Sequence, residues 1–369
     1  MSSSAKPAYT SAPVPAPEAS VRYPFGQRVP GPGEVMEVAE GVLWVRMPLP
    51  FALDHINLWV LRDGDGWTVV DCGYAGEATQ GAWEALLRGP LQGRPVCRVI
   101  VTHYHPDHLG MASWLTRRFG VELWMTQAEY LTAHAVWDGR AGLGKEALVA
   151  LYRRHGLDEE RLRHLTLKGE TYRRGVPEVP VTYRRLMDGE AIRIDGRQWI
   201  VHVGYGHAPE HAALYCESLN AFVSGDMVLP RISTNVSVWS NEPEGDPLGF
   251  YLESLARYRA LPQDTWVLPS HGLVFTGLRE RIDALYRHHA ERLEALRAAC
   301  AEPRTVAEVI PVLFRRPLDA HQSFFAMGEA LAHLNYLWRR GEVERSLGPH
   351  GVYRFWARAP QSSEARLAG

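Results

Sequence analysis

Residues 102–110 read THYHPDHLG, which sets His103, His105, Asp107 and His108 within six positions. Imidazole and carboxylate are the donors that zinc and other divalent ions take from proteins. In extended backbone alternate side chains share a face, so His103 and His105, just past the apolar run CRVIV, can enter one pocket. Pro106 forces a turn before a helix, and the turn can swing Asp107 and His108 toward a neighbouring position. The spacing predicts a metal site, with a second ion beside the first.

The elements that must carry these residues are legible as alternating runs. EVMEV, VLWVRMP, HINLWVL and WTVVD read as a meander of short strands, broken by Glu-Gly and Asp-Gly turn signals. GEATQGAWEALLRG reads as a helix, VCRVIVT as a buried strand, LGMASWLTRRFG as a helix and VELWM as a strand, an alternation that predicts an α/β layered fold. From about residue 127 to 171 a mostly helical stretch interrupts it, and AIRID, QWIVHVG, AALYCES, AFVSGD and WVLPSHG resume the strands. A long amphipathic helix, LRERIDALYRHHAERLEALRAAC, then leads to a helix, a second helix and a hairpin, the winged-helix order. The predicted organisation is a flexible leader over 1–33, a catalytic domain over 34–301, a winged-helix-like domain over 302–358 and a flexible tail over 359–369.

Bulk properties narrow the classes. A chain of 369 residues, 46 % hydrophobic and with net charge -2, has a sizeable core and no global field that would draw it to nucleic acid or anionic lipid. Cys72, Cys97, Cys216 and Cys300 form no close pair and read as small buried hydrophobes in a reducing compartment. With no signal-peptide core and no run of about eighteen apolar residues, the expectation is a cytoplasmic protein without a membrane partner.

The pattern HxHxDH resembles the signature of the metallo-beta-lactamase-fold hydrolases, and Asp71 in TVVDCG, His207 in GYGHAPEH, Asp226 in FVSGD and His271 in LPSHG match that family's further motifs in order, from about Glu34 to Cys300. The resemblance implies an αββα sandwich. It implies two divalent ions, expected to be zinc, with manganese or iron open on ligand type: one held by His103, His105 and His207, the other by Asp107, His108 and His271. Asp226 would bridge them, with a bridging hydroxide as nucleophile and Asp107 orienting it. Asp71 and His211 would brace the ligands from behind. Ala208 and Glu210 depart from the family's Gly-His-Thr-Pro-Gly-like loop without removing a ligand.

The family includes lactamases, thioesterases such as glyoxalase II, lactonases and nucleases, and the C-terminal unit is similar to that of the lactamase-beta-like subgroup, which holds both an endoribonuclease and thioesterases. The expected substrate is an ester or a thioester of acyl-coenzyme A or acyl-glutathione type. The alternatives are RNA cleavage, with the C-terminal unit positioning the strand, and a non-enzymatic ligand sensor. From Pro303 onward nine arginines face six acidic residues, a weak basic excess carried by Arg315, Arg316, Arg339, Arg340 and Arg345, so packing, homo-oligomerisation (dimerisation) or pocket closure is expected of the tail before strand binding. Candidate substrate contacts are His55 and Asn57 in DHINLWV, and Arg231, Ser233, Thr234, Asn235 and Trp239 in LPRISTNVSVW. The helical insertion reads as a lid, with Arg173, Arg174, Arg184 and Arg185 just past it as candidates for a substrate phosphate. His288 and His289 read as surface residues.

Overall fold

The computed structural model describes residues 21–51, 53–167, 171–348 and 350–358. The meander forms as read: β1 (Met36–Ala39), β2 (Val42–Pro48), β3 (His55–Asp63) and β4 (Gly66–Val70) pair antiparallel in chain order. Helix α1 (Glu77–Arg88) crosses over to β5 (Val96–Ile100), parallel to β4. The turn α2 (Pro106–Leu109) and α3 (Ala112–Phe119) lead to β6 (Leu123–Thr126). Helices α4 (Gln127–Trp137), α5 (Lys145–Arg154), α6 (Glu159–Leu167) and α7 (Thr171–Gly175) intervene before β7 (Tyr183–Leu186) ends a seven-stranded sheet.

The second sheet holds β8 (Ala191–Ile194), β9 (Arg197–Gly204), β10 (His211–Cys216), β11 (Ala221–Gly225) and, after α8 (Pro247–Tyr258), β12 (Trp266–Pro269), in the order β12-β11-β10-β9-β8. Both faces of each sheet are covered, which is why the central strands are near-continuous apolar runs. In β3, Ile56, Leu58 and Val60 pack toward α1 and α3, while Trp59 and Leu61 join the core between the sheets. In β11, Phe222 turns toward α8 and the following helix, and Ala221 and Val223 toward the first sheet. The result is the expected helix-sheet-sheet-helix sandwich.

Helix α9 (Leu278–Ala299) leads to α10 (Val306–Leu313), α11 (Ala320–Arg339) and the hairpin of β13 (Val343–Leu347) and β14 (Tyr353–Ala357), so helix, helix, hairpin is the observed order. Leu296, Val309, Met327, Leu331, Leu334 and Phe355 form its core together with Val149, Tyr152 and Leu162 of α5 and α6. The insertion expected as a lid therefore divides, because a unit this small cannot bury enough apolar surface alone and takes α5 and α6 into its core.

Other readings need correction. The described part of the expected leader is packed at points: Val21 and Pro30 are buried, Arg22 bridges Thr276, and the Phe25 ring lies 5.5 Å from that of Trp266, while residues 26–29 are exposed. Residues 1–20 and the tail 359–369 lie outside the described residues. Cys97 is exposed, while Cys72, Cys216 and Cys300 are buried. His289 is only 1 % exposed, since α11 covers the face of α9 that carries it, and His288 is half-buried. Among the described residues no helix is long and apolar enough to cross a membrane.

Candidate metal centre

The parallel pairs β4–β5 and β11–β12 end at one edge of the sandwich, and their carboxyl ends carry the candidate residues. Asp71 follows β4, His103 to His108 follow β5, His207 sits between β9 and β10, Asp226 follows β11 and His271 follows β12. The two sheets are tied at this edge by Ala212 N–H donating to Thr102 O at 2.8 Å and Asn57 N–H to Ser270 O at 2.6 Å.

Two donor groups result. Ligand atoms of His103, His105, His207 and Asp226 lie within 4.8 Å of one another, as do those of Asp107, His108 and His271. Asp226 faces both: its Oδ2 is 3.2 Å from His207 Nε2 and 3.9 Å from His103 Nε2, and its Oδ1 is 3.4 Å from His271 Nε2 and 3.6 Å from His108 Nε2. Asp107 Oδ2 is 3.4 Å from His271 Nε2 and 3.7 Å from His108 Nε2.

The outer ring nitrogens show what the inner ones must do. His207 Nδ1 donates to Asn235 O at 2.8 Å and His271 Nδ1 to His55 O at 2.9 Å; carbonyls only accept, so each ring carries a proton on Nδ1 and turns Nε2 inward. His108 Nδ1 lies 2.8 Å from Asp71 Oδ2, and its buried Nε2 has no hydrogen-bond partner. His207 Nε2 and His103 Nε2 stand 3.2 Å apart. Imidazole nitrogens converging on one another and on two carboxylates in a buried cluster are the donors a cation takes, so the set fits divalent metal. The same demand appears in the ionisation of these groups. Burial and neighbouring histidines push His103 down, and His105 to about 3. Against burial, Asp71, Asp107 and Asp226 hold His108 high, and Asp226 with Asp107 raises His271. Asp226, against its own burial, is held well below the carboxylate range by His271 and His108.

Bracing residues surround the centre. Asp71, in left-handed backbone (φ 63), accepts from Thr102 N–H at 2.8 Å, and His211 Nε2 accepts from Asp226 N–H at 3.2 Å. Gly225 cannot carry a side chain, because its Cβ would stand 2.3 Å from His211 Nε2. Ser270 Oγ donates to Asp226 Oδ1 and Thr234 Oγ1 to Asp226 O. Sequence reasoning missed Glu129. Fully buried on α4, it accepts from Tyr104 N–H at 3.0 Å and Glu210 N–H, clamping the two histidine loops together, and burial pushes its carboxyl up to about 8 despite those bonds. Tyr172 of α7 donates to Tyr104 O at 2.7 Å. Glu210 itself accepts from Ala128 N–H at 3.0 Å and so caps α4.

The expected substrate contacts fare differently. Asn57 is fully buried, donating to Pro269 O and Gly272 O, and cannot reach a substrate. His55 accepts from Gly272 N–H at 3.0 Å and braces His271. Arg231 lies over the Tyr23 ring at 5.5 Å, Ser233 is buried, and the half-buried Trp239 packs 6.1 Å from Phe324 of α11. Asn235 touches the centre through its carbonyl. Arg173 stacks on Trp137 and Arg184 on Trp124. A cavity of about 570 Å³ between α1 and α3 is lined by residues such as Gln80, Trp114 and Arg117, and none of the seven candidate ligands lines it.

Comparison with known proteins adds the family. The model for the metallo-beta-lactamase superfamily matches residues 52–271, the stretch that carries all seven donors. The chain belongs to the metallo-beta-lactamase superfamily. A second model, for a metallo-beta-lactamase-like C-terminal domain, matches residues 293–359. Among solved structures, a beta-lactamase domain protein from Burkholderia ambifaria is 50 % identical with a TM-score of 0.87, covering 92 % of this chain and 99 % of its own. The probable metallo-hydrolase YqjP of Bacillus subtilis (strain 168) is 28 % identical over 81 % of this chain and 92 % of its own length. The atrochrysone carboxyl ACP thioesterase of Aspergillus fumigatus is 23 % identical over 76 % of this chain and 75 % of its own. Superfamily membership and the His/Asp cluster together support a metal-dependent hydrolase.

Proposed function

We propose that this member of the superfamily is a dinuclear hydrolase of an ester or thioester, of the acyl-coenzyme A or acyl-glutathione type. The observation that carries the reading is Asp226, whose two oxygens each face one donor group. His103, His105, His207 and Asp226 would hold one ion, and Asp107, His108, His271 and Asp226 the other. Donors without thiolate suit zinc. Divalent ions held there would acidify a water and polarise the scissile carbonyl. Asp107, the most exposed of the carboxylates at 20 % and with Oδ2 beside two rings, is placed to hold the proton of the attacking water. Asp71, Thr102 and the carbonyls of His55 and Asn235 keep the rings from turning, so little reorganisation is needed during reaction.

A thioester is favoured by the thioesterase named among the relatives. RNA is disfavoured by the fate of the C-terminal arginines: Arg339 donates to Glu244 O, Arg340 pairs with Asp246, and Arg345 pairs with Glu244. They are spent on the chain's own acidic loop, and we assign the C-terminal unit a packing role. The test is thiol release from a panel of acyl-coenzyme A and acyl-glutathione thioesters, with metal content measured and Asp226→Ala as control. Turnover is expected in the zinc-loaded protein and a fall of at least about 10²-fold in the variant, the scale on which one preorganised catalytic group is felt. No turnover from protein carrying two ions overturns the thioester reading.

A further inference from the structure

Most of the bracing at the centre comes from the two sheets and their loops. His207 is different. Its Nδ1 donates to the carbonyl of Asn235, and Asn235 is gripped from the C-terminal side. Ser237 Oγ donates to Asn235 Oδ1 at 2.8 Å, which leaves the amide nitrogen as the group that can face the buried carboxyl of Glu329 on α11, whose ionised form the Asn235 side chain favours. Glu329 is 5 % exposed and accepts from Arg292 of α9 at 2.9 Å. The backbone alongside is fastened to the same helix. Val238 N–H donates to Gly328 O at 3.2 Å, and Ser237 sits so close that a Cβ on Gly328 would meet its Cβ and Oγ at 2.8 Å. Trp239 then closes against Phe324. A carboxylate is costly to bury, and one ion pair to Arg292 would satisfy only part of it. The Asn235 side chain, on the loop that orients His207, favours the ionised form as well.

We propose that Glu329 is a positioning residue for the metal centre: it holds the side chain of Asn235, the Asn235 carbonyl fixes the His207 ring, and the C-terminal unit thereby sets how tightly the His103, His105 and His207 group binds its ion. This rests on the metal reading above and is independent of the substrate. The arrangement gives the C-terminal unit a role at the centre without any of its residues touching metal or substrate.

The experiment uses the full chain, with affinity for each zinc ion measured by competition against a chromophoric chelator and the ligand-field spectrum of the cobalt-loaded protein as a second readout. Asn235→Ala keeps the carbonyl and removes the tether. Glu329→Ala removes its anchor. Glu329→Gln keeps an amide oxygen that can accept from Asn235. Asn235→Ala and Glu329→Ala are expected to weaken one ion about tenfold, the lower end of what loss of an outer partner costs a ligand, and to change the cobalt spectrum. Glu329→Gln is expected to restore most of the affinity. Should Glu329→Ala fail to fold, Asn235→Ala decides, since its side chain is half-buried and its backbone unchanged. Wild-type affinity and spectrum in Asn235→Ala overturn the proposal, as does a Glu329→Ala protein that loses thermal stability alone. If the wild-type chain binds no ion, the metal reading fails with it; if it binds two and the variants match it, only this inference fails.

Discussion

Two groups of buried histidines are built into this chain, and their difference shows what turns a histidine into a ligand. At the centre stand His103, His105, His108, His207 and His271; between α9 and α11 stand His288, His289 and His333. Burial drives rings in both groups toward the neutral form, His105 to about 3 and His333 to about 4. At the centre, fixed oxygens hold the Nδ1 atoms of His108, His207 and His271, and the inward nitrogens meet Asp107 and Asp226. In the second group His333 Nδ1 donates to Glu329 O at 2.8 Å and His289 Nδ1 lies 3.1 Å from His333 Nε2, while His288 Nε2 and His289 Nε2 are buried without a partner and, among the described residues, no carboxylate meets them. The charge facing this pair is the Arg292 guanidinium, which repels a cation. Burial makes a neutral ring, and only converging carboxylates make it a metal ligand.

The largest effect that would break this comparison is a truncation tested in both groups. His103→Ala should lose an ion and bring thioester turnover to background. It should also shrink the gain in melting temperature that zinc gives over chelated protein, a gain worth about 4 kcal/mol when free ion exceeds its Kd a thousandfold. His333→Gln should leave ion content and the zinc-dependent gain unchanged, because the Glu329 carboxylate keeps its bond to Arg292. Thermal melts with and without chelator, beside metal analysis, decide it. Ion loss in His333→Gln would mean that the second group belongs to the centre.

A pH series on chelated protein sharpens the same contrast. His333 titrates near 4 in the fold against 6.5 in the open chain, lowered by burial and by Arg292, with His289 facing it. Between those values the unfolded chain binds a proton that the folded one refuses. Its contribution is therefore complete above about pH 6.5 and falls away as pH drops toward 4, by up to roughly 3 kcal/mol. Urea unfolding from pH 7 to 4.5 should show wild type losing stability more steeply than His333→Gln. Parallel slopes would remove His333 from the account.

How much of this could be read in the sequence follows from range. The HxHxDH stretch is local, its donors within one loop, and the strands carrying it show as apolar runs because both of their faces are buried. Asp71, His207, Asp226 and His271 are far apart in the chain, and the order of motifs, not spacing, brought them together. Glu129 and Tyr172 were invisible, since each reads as an ordinary helix residue and its partner, the Tyr104 backbone, carries no sequence signal. Asn57 is withdrawn from any substrate for a reason of register: the start of β3 runs beside the loop after β12, so the His55 and Asn57 side chains bond the Gly272 backbone and the His55 carbonyl holds His271. Helix α8 passed unnoticed although Asp246 caps it and Pro247 opens it. Strand β7, YRRL at a sheet edge, offers no apolar run to find.

The smallest expected effect tests whether the C-terminal unit acts on the centre through one contact or through its stability as a whole. Thr305 opens α10 with a reciprocal cap: its Oγ1 accepts from Glu308 N–H at 3.2 Å, and its own N–H donates to Glu308 Oε2 at 2.8 Å. Thr305→Ala should cost about 1 kcal/mol of stability. The cap belongs to the same core as α11 but touches neither Glu329 nor Asn235, so the loss should be equal in chelated and zinc-loaded protein, with both ion affinities unchanged. Denaturant unfolding in the two states measures this directly. If zinc affinity fell with Thr305→Ala as far as with Asn235→Ala, loosening of the C-terminal unit in general would set the His207 ring, and the Glu329 contact would be one strand of a broader coupling. Unchanged affinity beside a loss of stability would separate the two, because the unit would then be weakened while its contacts with the Asn235 loop stayed intact.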